Sequence, residues 1–243
     1  MKVLNLILVS GKAGSGKDTV AHYLKNHYNC SHLYFAYAVK KSLSIITGLD
    51  EKYFFEHELK EKYLPFPWDK FTPRMMMQFY GTDLMRNQLD KDIWIKSVAT
   101  KISTLIEEST TDIINVVVSD LRFQNEMYIE QFINAPCKIN KLIVRVDRPG
   151  KDGKTTGGLT NHESENGITN YPTETIIINN DRTVEELYIR IETIMQIYNI
   201  YKNQAYFITD IVEDDPYDES EYYFFIPRFM RNNAFNQNYK YET

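Results

Sequence analysis

Residues 3–9 read VLNLILV, a stretch apolar on both of its alternating faces apart from Asn5, and the chain then runs into a glycine-rich turn. Such a stretch predicts a strand covered on both sides, as at the centre of a parallel sheet. Beyond the turn, Val20, Tyr23, Leu24 and Tyr28 recur at helical spacing and predict an amphipathic helix that buries them. Residues 113–118 (IINVVV) read as a second central strand, 141–146 (KLIVRV) as a third and 175–178 (TIII) as a fourth; a short run at 33–37 reads as one more. A long, aromatic-rich, helical stretch fills about 39–108, and 183–201 reads as a helix packed back on the sheet. Strands alternating with helices predict an α/β fold: a central parallel sheet with helices on both faces.

Length and composition narrow this picture. With 243 residues, 43% of them hydrophobic, the chain builds one substantial core, so a single α/β domain over residues 1–202 with insertions is expected. A net charge of −5 and a pI near 5.6 argue against a surface that coats a nucleic-acid polymer; nucleotides, if bound, are bound singly. Cys30 and Cys137 lie far apart with no metal-like spacing and read as two buried thiols of a reducing, cytoplasmic compartment, without disulfide or zinc. The first strand starts at once, leaving no room for a leader, and no run reaches membrane-spanning length. Residues 147–171 are loop-like, with five glycines and several cations, and are expected to act as a lid. Residues 203–243, acidic and then aromatic and Asn-rich, read as a solvated extension without an assigned role.

The turn after the first strand carries the chemistry. Its sequence, GKAGSGKDT, fits the phosphate-binding pattern G-x-x-x-x-G-K. Gly11, Gly14 and Gly16 allow positive φ and inward N–H groups, and Lys17 brings a point charge to the β- and γ-phosphates at a helix N-terminus. Asp18 stands where Ser or Thr is usual and the hydroxyl arrives at Thr19, a variant that points to small-molecule kinases. At the far end of the second strand, Asp120 is placed to hold magnesium or a magnesium-bound water, with Thr19 as the other metal oxygen. Arg122 is placed to neutralise charge on the transferring phosphoryl group. The bland alternative for this pair is a helix cap and a surface ion pair. In residues 71–94, Thr72 and Pro73 predict a helix start, and Arg74 and Gln78 share a face suited to a phosphate and a base edge. Gly81 and Thr82 are expected to break that helix, Arg86 is a further phosphate candidate, and Trp94 offers a stacking surface. Met75, Met76 and Met77 read as core filling.

Together, GKAGSGKDTVA (11–21), TPRMMMQFYGTDLMR (72–86) with Trp94, SDLRFQNE (119–126), HESE (162–165) and INNDRTVEEL (178–187) resemble the deoxynucleoside monophosphate kinases of phages and large DNA viruses. The resemblance runs in order from the N-terminus to about Tyr201. It implies a P-loop kinase that moves the γ-phosphate of ATP to a deoxynucleoside monophosphate with Mg2+. Ser15, Lys17, Asp18 and Thr19 then belong to the phosphate loop, Arg74, Gln78, Gly81, Thr82 and Trp94 to the acceptor site, and Asp120 with Arg122 to the catalytic edge. Arg145, Arg148 and Lys151 are expected as lid cations, and Asn180, between Asn179 and Asp181, resembles the turn that supports adenine. His162 is expected to be structural rather than catalytic. Family members often carry a second basic residue beside the position of Arg74, where this chain has Met75. The rival readings are a P-loop kinase of another phosphate acceptor, such as dephospho-coenzyme A or phosphomevalonate, and a non-catalytic nucleotide-binding protein. The sequence leaves a homodimer open.

Overall fold

A computed structural model of the chain describes residues 1–150 and 162–200. Contacts divide the chain into units Met1–Asn203 and Gln204–Thr243. Five parallel strands form one sheet in the order β2–β3–β1–β4–β5. The centre is β1 (Lys2–Ser10), buried continuously from Leu4 onward, as its apolar run, interrupted at Asn5, requires. Beside it lie β3 (Ile113–Leu121) and β4 (Cys137–Asp147), with β2 (Cys30–Leu33) and β5 (Ile176–Asn179) at the edges.

Both faces are covered. On one face α1 (Lys17–Tyr28) and α6 (Val184–Ile197) press Val20, Leu24, Tyr28, Leu187 and Ile191 against Ile7, Val9 and Val144. On the other face α5 (Ile93–Glu108) and a 3₁₀ segment (Gln124–Phe132) set Ile95, Ile102, Met127 and Ile129 against Leu4, Leu6, Val116 and Val118. A smaller cluster of Val39, Leu43, Phe54 and Leu64 joins α2 (Ala36–Thr47), α3 (Lys52–Phe55) and α4 (Pro73–Gln78), with Met76 and Met77 packed on it as filling. Among the described residues no helix is long and apolar enough to cross a membrane.

The buried polar break in β1 is satisfied sideways. Asn5 lies in register with Asn115 and Asn140. Its amide donates to Asn115 Oδ1 (2.8 Å) and its own Oδ1 accepts from Asn140 Nδ2 (3.1 Å), while Asn115 Nδ2 donates to the Tyr28 carbonyl (2.8 Å). A ladder of amides thus crosses three strands and ends on α1.

Several expectations shift. The short run at 33–37 belongs to two elements: β2 ends at Leu33 and α2 begins at Ala36, because the Asp120 carboxylate collects the N–H groups of Phe35 (2.7 Å) and Ala36 (2.9 Å). Gly81 and Thr82 do not break a helix. The chain continues past α4 as a π-helix (Phe79–Leu89) with both residues buried, since the missing Cβ of Gly81 lets Val39 approach to where a methyl would stand only 3.1 Å away. Cys30 is buried, which pushes its thiol up to about 12, but Cys137 is only half-buried at the start of β4.

Candidate active site

The carboxyl ends of the central strands converge on the turn after β1. Gly11, Gly14 and Gly16 all have positive φ (150°, 73° and 102°), which L side chains seldom adopt. At Gly11 a Cβ would also meet Ser15 Oγ and the Val146 carbonyl at 2.4 and 2.5 Å, so only glycine lets the loop close on β4. The helix that follows has Gly16 as its cap and no side-chain capping bond, so the first N–H groups of α1 face outward from Lys17, Asp18 and Thr19. Ser15 is buried and its Oγ lacks a hydrogen-bond partner, the state of a hydroxyl that a ligand completes. Behind the loop, Asn180 Nδ2 donates to the Ser15 carbonyl (2.9 Å), and its own N–H donates to the Asp147 carbonyl (2.7 Å). Asn180 is therefore a strut for the loop, holding it to the end of β5.

On the other side of β1, the pairing with β3 shifts between Leu8↔Val118 and Ser10↔Leu121, so one extra residue bulges where Ser119 and Asp120 leave the sheet. Both Asp120 oxygens take the N–H groups that start α2. The capping alternative weighed for Asp120 is thus realised on a different helix, and its charge is fixed at the sheet edge with lone pairs remaining for a cation. Arg122 follows. Its N–H and that of Phe123 both donate to Glu126 Oε2 (2.7 and 2.9 Å). Glu126 is 4% exposed, and burial pushes its carboxyl up to about 8.

The helical insertion faces this edge. Thr72 caps α4 by accepting from Met75 N–H (3.2 Å), with Pro73 at the first turn as expected. Arg74 pairs with Glu61, and Gln78 is buried beneath it on the same short helix. Trp94 is half-buried, and its Nε1–H donates to the Gly81 carbonyl (2.8 Å), so its polar atom fastens the π-helix and leaves only part of the ring for stacking. Arg86 lies over the Phe123 ring at 3.8 Å and donates to the Lys91 carbonyl (2.6 Å) and Asn125 Oδ1 (2.8 Å). Its guanidinium braces the segment carrying Arg122.

Of the lid cations, Arg145 stands on β4 rather than in a loop, opposite Ser10, and donates to Asp147 (2.8 Å) beneath the Tyr171 ring. Arg148 is exposed just past the strand. Lys151 lies outside the described residues. His162 is 8% exposed; its Nδ1 accepts from Ser164 N–H (3.2 Å), so Nε2–H donates to Asp83 Oδ1 (3.0 Å) on the π-helix. It ties the end of the expected lid to the insertion, the structural role expected of it.

Two further cations, which no local motif marks, complete the edge. Lys40, on α2, is half-buried against Tyr34 and Phe55, and burial lowers its pKa while Asp120 and Asp18 pull it back. Lys60, in the loop before α4, is also half-buried; burial, with Lys40, Arg122 and Arg74 nearby, pushes it down to about 8. Lys60 sits in an irregular loop, where no hydrophobic period marks which lysine turns inward. Lys40, Lys60, Arg74 and Arg122 thus bring positive charge to the sheet edge where Asp18 and Asp120 also stand.

A family described as "Deoxynucleotide monophosphate kinase" matches residues 55–191. A protein of Acanthamoeba polyphaga mimivirus, provisionally named a deoxynucleotide monophosphate kinase, is 30% identical over 193 residues, covering 76% of this chain and 93% of that protein. The deoxynucleotide monophosphate kinase of Escherichia phage RB69 is 25% identical over 261 residues, covering 79% of this chain and 100% of that one. Among solved structures, an APS kinase of Mycobacterium tuberculosis is similar at a TM-score of 0.45 and 11% identity, over 81% of this chain and 99% of that one.

Proposed function

Because this chain belongs to the deoxynucleotide monophosphate kinase family, we propose that the carboxyl edge of its sheet is where it transfers the γ-phosphate of ATP to a deoxynucleoside monophosphate. The protein is a phosphotransferase and its product is the diphosphate. The observation that carries the site assignment is the turn after β1: three positive-φ glycines, an uncapped helix N-terminus and the unpartnered Ser15 hydroxyl together form a receptor for phosphate oxygens.

In this reading the loop N–H groups, the Ser15 hydroxyl and Lys17 hold the donor's phosphates. Arg122 and the cations of the insertion stabilise charge as the phosphoryl group moves. Arg74 and Gln78 meet the acceptor. Thr19 and Asp120 offer the hard oxygen donors that suit Mg2+, and among the described residues no cluster of three or more metal-ligating side chains competes for a metal. An ion held by one or two protein oxygens and the nucleotide's own phosphates fits that donor set, and when bound it neutralises charge between the β- and γ-phosphates. With relatives in a large DNA virus and a phage, such an enzyme belongs in the cytoplasm of an infected host.

The test is an acceptor scan with purified protein, ATP and Mg2+. One or more of dTMP, dGMP, dCMP, dAMP and dUMP gives diphosphate, and ADP release depends on the acceptor. Transfer to dephospho-coenzyme A or phosphomevalonate with none to these monophosphates would overturn the acceptor assignment.

A further inference from the structure

Arg74 is the basic residue that the insertion offers to an acceptor phosphate, and its neighbour in sequence is Met75. The fold brings a different cation to its side. Arg74 N–H donates to the Lys60 carbonyl (3.0 Å), which ties the loop carrying Lys60 to the head of α4. Among the charges that weigh most on half-buried Lys60, Lys40 from α2, Arg122 from the end of β3 and Arg74 from α4 oppose its own charge, and Asp18 from α1 supports it. Arg74 has Glu61 as a partner, but among the described residues no carboxylate stands within ion-pairing distance of Lys40 or Lys60. Gathering like charges in a half-buried space is unfavourable unless an anion completes the set. Lys40, Lys60 and Arg74 all belong to the insertion rather than to the loop after β1, which assigns their anion to the ligand that the insertion meets.

We infer that Lys60, flanked by Lys40, binds the phosphate of the acceptor nucleotide and supplies the second cation that position 75 lacks. The inference rests on the kinase reading above. It makes Lys60 a substrate-contacting residue whose charge is needed only on the acceptor side. The low pKa of Lys60 in the free protein gives the site a signature: above about pH 8 the ammonium must be reprotonated for the acceptor to bind. Nucleotide phosphate itself, with a second pKa of about 6, stays doubly charged throughout that range.

The experiment measures equilibrium affinity for the preferred monophosphate and for ATP separately, by calorimetry on the full chain from pH 7 to 9.5. The variants are Lys60→Met and Lys60→Arg. Lys60→Met weakens the monophosphate by about 10- to 100-fold and leaves ATP within about twofold. Lys60→Arg holds the monophosphate near the wild-type affinity. Above pH 8 the wild type loses monophosphate affinity by up to about tenfold per pH unit, and Lys60→Arg, which keeps its charge, does not. Unchanged monophosphate affinity in Lys60→Met, a loss confined to ATP, or the same pH slope in Lys60→Arg as in the wild type would each overturn the inference and leave the kinase reading intact. Wild-type protein that binds no monophosphate would overturn both.

Discussion

In the proposed kinase reading, Lys17 and Arg122 are prepared for phosphate in two different ways. Lys17 stands half-buried at the head of α1, on a backbone that follows the positive-φ Gly16, and its Nζ donates to the Lys12 carbonyl at a long 3.5 Å. Lys17→Ala should abolish transfer, by about 10³-fold or more in kcat, while the melting temperature stays put. Near-normal turnover would show that the loop is not the donor site. Arg122 is held through its backbone by Glu126, and its guanidinium donates to the Ser164 carbonyl at a long 3.5 Å. Arg122→Ala should lower kcat by on the order of 10²-fold with little change in ATP affinity; a loss of stability alone would mark it as structural. Both residues were legible in the sequence because their motifs are local. Lys40 and Lys60 were not, since each gains meaning only from a neighbour brought in by tertiary packing. Arg86 and Trp94 were legible as polar candidates, but sequence does not show that their donors are already occupied by Lys91, Asn125 and Gly81.

At the scale of elements, the two halves of the site are held by separate struts, so their binding functions should separate. Asn180 fastens the phosphate loop from β5, and Asn180→Ala leaves the Ser15 carbonyl without that donor. ATP affinity should fall by roughly fivefold, for about 1 kcal/mol of lost support, with acceptor affinity unchanged. Trp94 fastens the π-helix from α5, and Trp94→Phe removes the donor to Gly81 while keeping the apolar bulk. The acceptor KM should rise and the ATP KM should not. Titrating each substrate against both variants decides the matter, and parallel losses in both would mean that the struts only stabilise the fold. The strand pattern was readable to within a few residues because buried parallel strands are apolar on both faces. The π-helix was not: Gly81 and Thr82 carry the local signature of a break, and it is contact with Val39 that keeps the helix running.

The described unit is built on a sheet whose strands are far apart in sequence, and its assembly depends on how they find one another. Parallel strands slide on one another easily, because a run such as residues 113–118 offers similar apolar side chains at every step. The amides of Asn140, Asn5 and Asn115 remove that freedom, since they meet in only one alignment. Asn5→Leu should cost roughly 1 kcal/mol, as measured by denaturant unfolding, by taking one partner each from the half-buried Asn115 amide and the exposed Asn140 amide. Replacing all three with apolar residues should restore part of that loss while lowering the yield of active enzyme on refolding; undiminished recovery of activity would show that the ladder has no part in alignment. A slip of one residue between β1 and β3 would move Asp120 by one strand step relative to the phosphate loop. The three asparagines, at the end of the sheet remote from the nucleotides, therefore act as a proofreading device for a site that they never touch.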